Sequence, residues 1–410
     1  MAQLRVLYIS NSHPDLYIGG AEVYSYELYR GMREREGFEP IFLARTISGG
    51  HRPHRGTPFL SINDDPNQLL WYQENHDYFL ITCPQKEQYT VHFHELLTTY
   101  RPDVVHVQHT IGLGYDLLRQ IVTSLPGTPI VYTLHEFLPI CHAKGLLLRT
   151  GGKELCLEAT PARCHECFPE IPPQRFFLRE RFIRSHLAHV DLFLAPSHFL
   201  LERFRDWGIP AEKIRFQEYG RLAPPHREAA DRDATAGDAS GDDGPPVGNF
   251  GFFGQLRPHK GVLVLLRAMR LLWESGEREL HLFLNGANLE SEGEEFQRQV
   301  ETLLEACPNV TFLGRYAPEE ISRRMRDVAW VVVPSLWWEN SPLVIQEAFM
   351  HRRPVICSDV GGMAEKVSDG VDGLHFRVGD PADLAEKMRT AASRELWRRL
   401  RARIAPVYSM

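Results

Sequence analysis

Two glutamates, a lysine beside a glycine, a histidine after an apolar run and four crowded cysteines are the residues whose types and spacing could do chemistry here. The richest stretch is Val331–Met350, VVVPSLWWENSPLVIQEAFM. A buried strand is expected to end near Pro334, a loop to carry Trp337, Trp338 and Glu339, and a helix to open with Ser341 as N-cap and Pro342 in the first position. A helix N-terminus offers unpaired N–H groups and a positive dipole end, which suits a diphosphate. Glu339 just before that end and Glu347 inside it could then grip hydroxyls on either side, one on a sugar and one on a ribose. Spacing alone equally allows a loop acid and a solvated helical one.

Lys260 lies in FGFFGQLRPHKGV, a strand, a turn and a lysine–glycine pair. The glycine admits close backbone approach and the ammonium supplies charge, so Lys260 is the candidate phosphate ligand. Arg257 is a second cation, and Gln255 a neutral donor, in the same loop. Gly361-Gly362 reads either as a backbone approach to a ligand or as a plain turn before a helix. Gly19 and Gly20 follow the first strand and open a helix. His135 follows the run Ile130–Leu134, in place to hydrogen-bond a reacting group if that run is a strand. His106 alternates into a strand interior, and His109, at its end, is the rival for the histidine's role.

Apolar β-branched runs alternate with amphipathic stretches along the chain, which implies parallel sheets with helices on their faces. Expected strands include Leu4–Ser10, Asp103–Val107, Asn249–Phe253, Val328–Pro334 and Pro354–Ser358. The run from Leu222 to Val247, rich in Ala, Asp, Gly and Pro, breaks the alternation and reads as a flexible linker. The fold class is therefore α/β, with a first domain over 1–221, a linker over 222–247 and a second domain over 248–410.

These motifs resemble the large retaining glycosyltransferase family often called family four, whose members build bacterial polysaccharides and glycoconjugates among other products. Glu339, seven residues and Glu347 match its E-x7-E motif, flanked by E-N-S-P-L-V-I-Q-E-A. FGFFGQLRPHKGV resembles its first C-terminal strand and phosphate loop, and Gly19-Gly20-Ala21-Glu22 its N-terminal G-G-A-E loop. The resemblance implies the GT-B fold, two Rossmann-like doubly wound domains facing across a cleft. It implies that Glu347 binds the nucleotide ribose and Glu339 lies near the donor sugar. Asn340, Ser341, Pro342, Leu343 and Val344 would meet the diphosphate or sugar through backbone amides, Lys260 the phosphates, and His135 the reacting sugar. Many members carry arginine where this chain has Gln255.

The implied activity is transfer of a sugar from a UDP-, GDP- or ADP-linked donor to a glycan, lipid-linked or small-molecule acceptor. Configuration is retained, no metal is required, and the leaving diphosphate helps deprotonate the incoming hydroxyl. A non-hydrolysing sugar-nucleotide epimerase and a non-catalytic nucleotide-sugar binder are the rival readings.

Cys141, Cys156, Cys164 and Cys167 crowd the segment 141–167, with a C-x2-C knuckle at its end. Four thiols at this spacing fit a tetrahedral structural zinc, with disulfides the alternative that a reducing cytosol disfavours. Gln174–Leu187 mixes four arginines with five apolar residues. It reads as a basic amphipathic helix, either packed on one face or lying on an anionic membrane. A net charge of −7 argues against non-specific nucleic-acid binding. No apolar run reaches the roughly 20 residues that cross a bilayer. The expectation is a cytoplasmic protein, acting in solution or at the inner membrane face.

Overall fold

The computed structural model describes residues 3–47, 51, 56–150, 154–222 and 244–407. The chain forms two compact units, one from Met1–Leu146 and Leu157–Leu222, the other from Leu147–Cys156 and Ala223–Ser409. The cysteine-bearing segment 141–167 is thereby divided between them.

The first unit holds an eight-stranded sheet. Its strands are β1 (Leu4–Ser10), β2 (Phe38–Thr46), β3 (Phe59–Ile62), β4 (Asp65–Tyr72), β5 (Val104–Val107), β6 (Ile130–Thr133), β7 (Leu192–Ala195) and β8 (Ile214–Phe216). They run in the order β3-β4-β2-β1-β5-β6-β7-β8, parallel except for the β3–β4 hairpin. That hairpin departs from the all-parallel expectation, and Asn63 and Asp64, both at positive φ, make its turn. The apolar runs of β1 and β2 are buried almost throughout, as a sheet covered on both faces requires.

The second unit holds β9 (Asn249–Gln255), β10 (His281–Ala287), β11 (Val310–Gly314), β12 (Trp330–Val333), β13 (Val355–Ser358) and β14 (Gly373–Phe376). All are parallel, in the order β11-β10-β9-β12-β13-β14. Helices Val262–Glu274, Pro381–Ala391 and Arg394–Arg403 close one face over a core that includes Leu265, Met269, Trp330, Met388 and Trp397. The sheet order reverses between β1 and β5 in the first unit and between β9 and β12 in the second. Ligands of open α/β sheets sit outside the strand ends at such reversals.

Most of the expected linker, 223–243, lies outside the described residues. Its end is not loose: Val247 packs on the second core, and the Arg394 guanidinium donates to the Pro245 carbonyl at 3.0 Å. Helix Pro173–Leu187 matches the expected basic stretch, but Arg179 faces inward. Its guanidinium donates to the carbonyls of Phe79, Leu138 and Pro139 at 2.7–2.9 Å, while Phe177 and Leu178 are exposed. Among the described residues no helix is long and apolar enough to cross a membrane.

Candidate functional site

In the second unit the loops after β9 and β12, the strands at the reversal, bring Lys260 and Glu339 together. The ammonium Nζ lies 2.6 Å from Glu339 Oε1. The same oxygen accepts from the Ser335 hydroxyl at 2.8 Å and from the Trp337 indole N–H at 2.9 Å. Three donors converge on one carboxylate oxygen, and among the described residues none bonds the other. Burial alone would push this carboxyl up. The neighbouring Lys260 charge and the bonds from Lys260 and Ser335 outweigh it and hold Glu339 below the usual carboxylate range. Lys260 also stands over the Trp337 ring, 5.5 Å from its centroid.

Glycines fix this geometry. Lys260 closes a short 3-10 turn, Pro258–Lys260, and Gly261 follows at φ +73°. A Cβ there would come within 1.8 Å of the Pro334 carbonyl oxygen, so only glycine lets the two loops touch. On the other side Gly362 donates its N–H to the Glu339 carbonyl at 2.7 Å. A Cβ on it would meet the Asn340 carbonyl oxygen at 1.5 Å. The Glu339–Asn340 backbone is thus held between the Lys260 turn and the start of helix Gly361–Lys366.

The helix after this loop runs Leu343–Met350, with Pro342 at its N-cap in extended backbone. This corrects the expected start. Pro342 has ψ of 119°, outside the helical range, so the helix opens one residue later and Ser341 is not its N-cap. Leu343 and Val344 form the first turn, and Glu347 lies just over one turn in. Asn340 and Ser341 are buried. Gln255 ends β9, while Arg257 is 3.7 Å from Glu292 and has a carboxylate partner of its own.

In the first unit Gly19 is the N-cap of helix Gly20–Arg33. Glu22 folds back over it: a Cβ on Gly19 would meet Glu22 Oε2 at 2.4 Å, and Asn11 donates to the other oxygen at 2.7 Å. Burial pushes this carboxyl up. His135, two residues past β6, has its Nδ1 at 2.5 Å from the Tyr219 hydroxyl and its Nε2 at 2.9 Å from Gln108 Oε1. Burial, then the neighbouring His109 and His106, hold it well below the ordinary histidine value, so the ring is neutral. His109 stacks parallel to it at 6.5 Å, and its Nε2 lies 3.5 Å from Glu136 Oε1. Burial lowers His109 to about 4 and raises Glu136 to about 8. His106 bonds Thr133 at 2.8 Å within the sheet, the structural place its alternation indicated.

Sequence reasoning missed Ser335, Trp337, Gln108, Tyr219 and Glu136 as partners of the candidate residues. Ser335 and Trp337 stood inside the quoted motif and Glu136 inside YTLHEF; nothing local marks Tyr219, which reaches His135 across 84 positions. The seven cysteines form no disulfide. Cys164 and Cys167 lie on helix Pro161–Cys167, and Cys141 and Cys164 are both within electrostatic reach of Arg179. Among the described residues no group of three or more His, Cys, Asp or Glu side chains is set to hold a metal ion.

Two family models match, Glycosyltransferase Family 4 over residues 18–217 and Glycosyl transferases group 1 over 248–394. An uncharacterised glycosyltransferase of Methanocaldococcus jannaschii is 31% identical over 143 residues, 34% of this chain and 37% of that protein. The D-inositol 3-phosphate glycosyltransferase of Corynebacterium efficiens is 33% identical over 141 residues, 34% of this chain and 33% of the other. The chain thus spans about a third of the length of the curated relatives it matches. The fold is shared along its whole length. The Anabaena protein HepE in complex with UDP and glucose aligns over 99% of this chain and 96% of its own at TM-score 0.62 and 17% identity. Sucrose-phosphate synthase of Thermosynechococcus elongatus aligns over 99% and 95% at 0.66 and 18%. The two parallel-sheet units are those of the GT-B fold, and with one model matching in each half, the chain belongs to the family 4 glycosyltransferases.

Proposed function

We propose that this protein transfers a sugar from a nucleotide-sugar donor to an acceptor hydroxyl with retention of configuration. The supporting observation is the Lys260–Glu339 pair at the strand reversal, with three donors on Glu339 Oε1 and, among the described residues, none on its other oxygen. An ammonium has three donors, so Lys260 can keep Glu339 while giving a second hydrogen bond to a diphosphate. Glu339 then orients the donor sugar through a hydroxyl, Glu347 holds the ribose, and the amides opening helix Leu343–Met350 face the phosphates. As the glycosidic bond breaks, negative charge grows on the diphosphate, and Lys260 with the helix dipole stabilises it. The leaving phosphate takes the acceptor's proton on the same face, and neutral His135 hydrogen-bonds the reacting sugar. UDP is the first donor base to test, because HepE is known in complex with UDP-glucose. The acceptor class is a glycan, lipid-linked or small-molecule hydroxyl.

Calorimetric titration with UDP, GDP, ADP and their sugar conjugates tests the donor site. One nucleotide should bind selectively, Glu347→Ala should weaken it, and His135→Ala should bind donor normally yet make no product. Equal loss of binding in both variants would overturn the division of roles, and an isomerised donor without a new glycosidic bond would replace transfer with epimerisation. The spacing of Cys141, Cys156, Cys164 and Cys167 supports a structural zinc. Protein purified without added metal should then carry about one zinc per chain. Folded, metal-free protein with four titratable thiols in that segment would end the zinc reading.

A further inference from the structure

We propose that Arg45 and His76, beside the buried carboxamide of Gln73, form a subsite in the first unit for an oxyanion, a carboxylate or a phosphate group. The subsite stands on these residues alone; only the assignment of its oxyanion to an acceptor rests on the sugar transfer proposed above.

The residues meet at one edge of the sheet. Arg45 is the penultimate residue of β2, Gln73 follows β4 and Gly112 lies in the loop after β5. All three thus sit at the C-terminal ends of parallel strands, the edge at which His135 follows β6. The Gln73 N–H extends the β2–β4 pairing with a bond to the Thr46 carbonyl at 3.0 Å, and Arg45 Nε donates to the Gln73 carbonyl at 2.9 Å. Gly112, at φ +74°, lets the guanidinium lie against its loop: a Cβ there would come within 2.5 Å of Arg45 Cδ. The Gly112 N–H in turn donates to His76 Nε2 at 3.3 Å.

Each of the three side chains keeps bonding capacity. Arg45 bonds the Gln73 carbonyl and the Tyr78 hydroxyl, fewer partners than its guanidinium has N–H groups. Among the described residues it makes no ion pair with a carboxylate. Asp77 and Asp116, the carboxylates that act on His76, are engaged elsewhere. Asp77 accepts from the Phe79 and Leu80 amides at 2.8 and 3.0 Å, and Asp116 pairs with Lys86 at 2.8 Å. A backbone N–H only donates, so Gly112 requires a lone pair on His76 Nε2 and leaves the proton of a neutral ring on Nδ1. That N–H is buried with no partner among the described residues. Gln73 is 3% exposed, and neither carboxamide atom is hydrogen-bonded among the described residues, whichever way the amide is turned. The Tyr89 hydroxyl beside it is bonded to the Leu113 carbonyl instead.

A half-buried cation without a counter-ion and a buried donor without an acceptor both cost stability, and one oxyanion offsets both. Arg45 and His76 are half-buried and Tyr78, edge-on to the His76 ring, is exposed, so a small anion can reach them from solvent.

The test is nitrogen-15 spectroscopy of the labelled full chain, following the His76 ring and the Gly112 amide during titration with inorganic phosphate and, separately, with acetate. These local signals distinguish the subsite from any phosphate held near Lys260. The expected result is a saturable shift that sodium chloride at equal ionic strength does not produce, with affinity about tenfold or more lower in Arg45→Gln. Glucose 6-phosphate and glucuronate then separate the sources. Tighter binding than the bare ions assigns the oxyanion to a sugar acceptor, and tighter binding of the bare ions assigns it to a free anion. No saturable shift in the native protein, or unchanged affinity in folded Arg45→Gln, overturns the inference. The native titration decides the point whether or not the variant folds. If the shift is found but no nucleotide sugar yields a new glycosidic bond, the subsite stands and the transfer reading falls.

Discussion

The strand reversals of the two units carry opposite kinds of polar chemistry. In the second unit the central contact is an ion pair, Lys260 with Glu339, with the carboxyl held below its usual range. In the first unit the groups after β5, at the reversal, and after β6, the next strand, are neutral: His109 and His135 are pushed down by burial and Glu136 is pushed up to about 8. The backbones differ as well. The second unit's glycines press against carbonyl oxygens that cannot give way, whereas Gly19 faces the end of a flexible Glu22 side chain. The second unit's reversal is organised around fixed charge on a pinned backbone. The first unit's groups are organised around hydrogen bonds among neutral side chains.

The largest effect should come from breaking the pinned backbone. Gly362→Ala would place a methyl 1.5 Å from the Asn340 carbonyl, and the Glu339–Asn340 segment would have to move. Loss of nucleotide binding and destabilisation of about 3 kcal/mol or more are expected, by denaturant melting and calorimetry. Gly19→Ala is the counterpart in the first unit. Its new methyl meets a movable carboxylate at unstrained φ, so about 1 kcal/mol or less is expected. Equal costs would remove the contrast in backbone rigidity.

Next in size is the charge pair. Lys260→Met strips the counter-ion from a buried carboxylate, which should destabilise by about 2–3 kcal/mol because Lys260 itself is partly exposed, and should abolish diphosphate binding. Adding Glu339→Gln should recover part of the stability and none of the binding, since the uncompensated charge is then gone. A double variant as unstable as the sum of the singles would show that the two residues do not act as a pair.

Much of this was legible in the residues. The loop–helix motif and the lysine–glycine pair singled out Lys260 and Glu339, which the structure brings within 2.6 Å; spacing alone left the glutamates open, and the resemblance to a family motif gave them and Glu347 their expected roles. β1 is found at its expected bounds, and β5, β9, β12 and β13 within a few residues of theirs. The misses have physical causes. The hairpin β3–β4 is half polar, and its turn residues Asn63 and Asp64 resemble an ordinary loop. The helix start was displaced because Ser-Pro was read as cap and first position, whereas Pro342 takes the extended conformation. Arg179 was read as surface charge because a helical stripe does not show that three carbonyls wait beneath it. The partners of His135 come from β5 and β8, and no local pattern encodes such contacts.

The smallest effect concerns the neutral cluster, and it depends on pH. A carboxyl near 8 in the folded chain and near its ordinary value when unfolded keeps, between those values, a proton that the unfolded chain releases. Its contribution is fully present below the unfolded value and is lost as pH rises toward 8, after which the cost is constant. The Glu136 side chain is 21% exposed, so the effect is discounted to about 1–2 kcal/mol over that range. Glu136→Gln keeps the shape without the proton, so its stability relative to the native protein should rise between about pH 5 and 8. Below about pH 6.5 both proteins should weaken together, because His109 and His135, held neutral when folded, are charged when unfolded. Parallel stability curves for the two proteins above that point would mean that Glu136 is ionised in the folded chain. The contrast between a charged cluster in the second unit and an uncharged one in the first would then lose its second half.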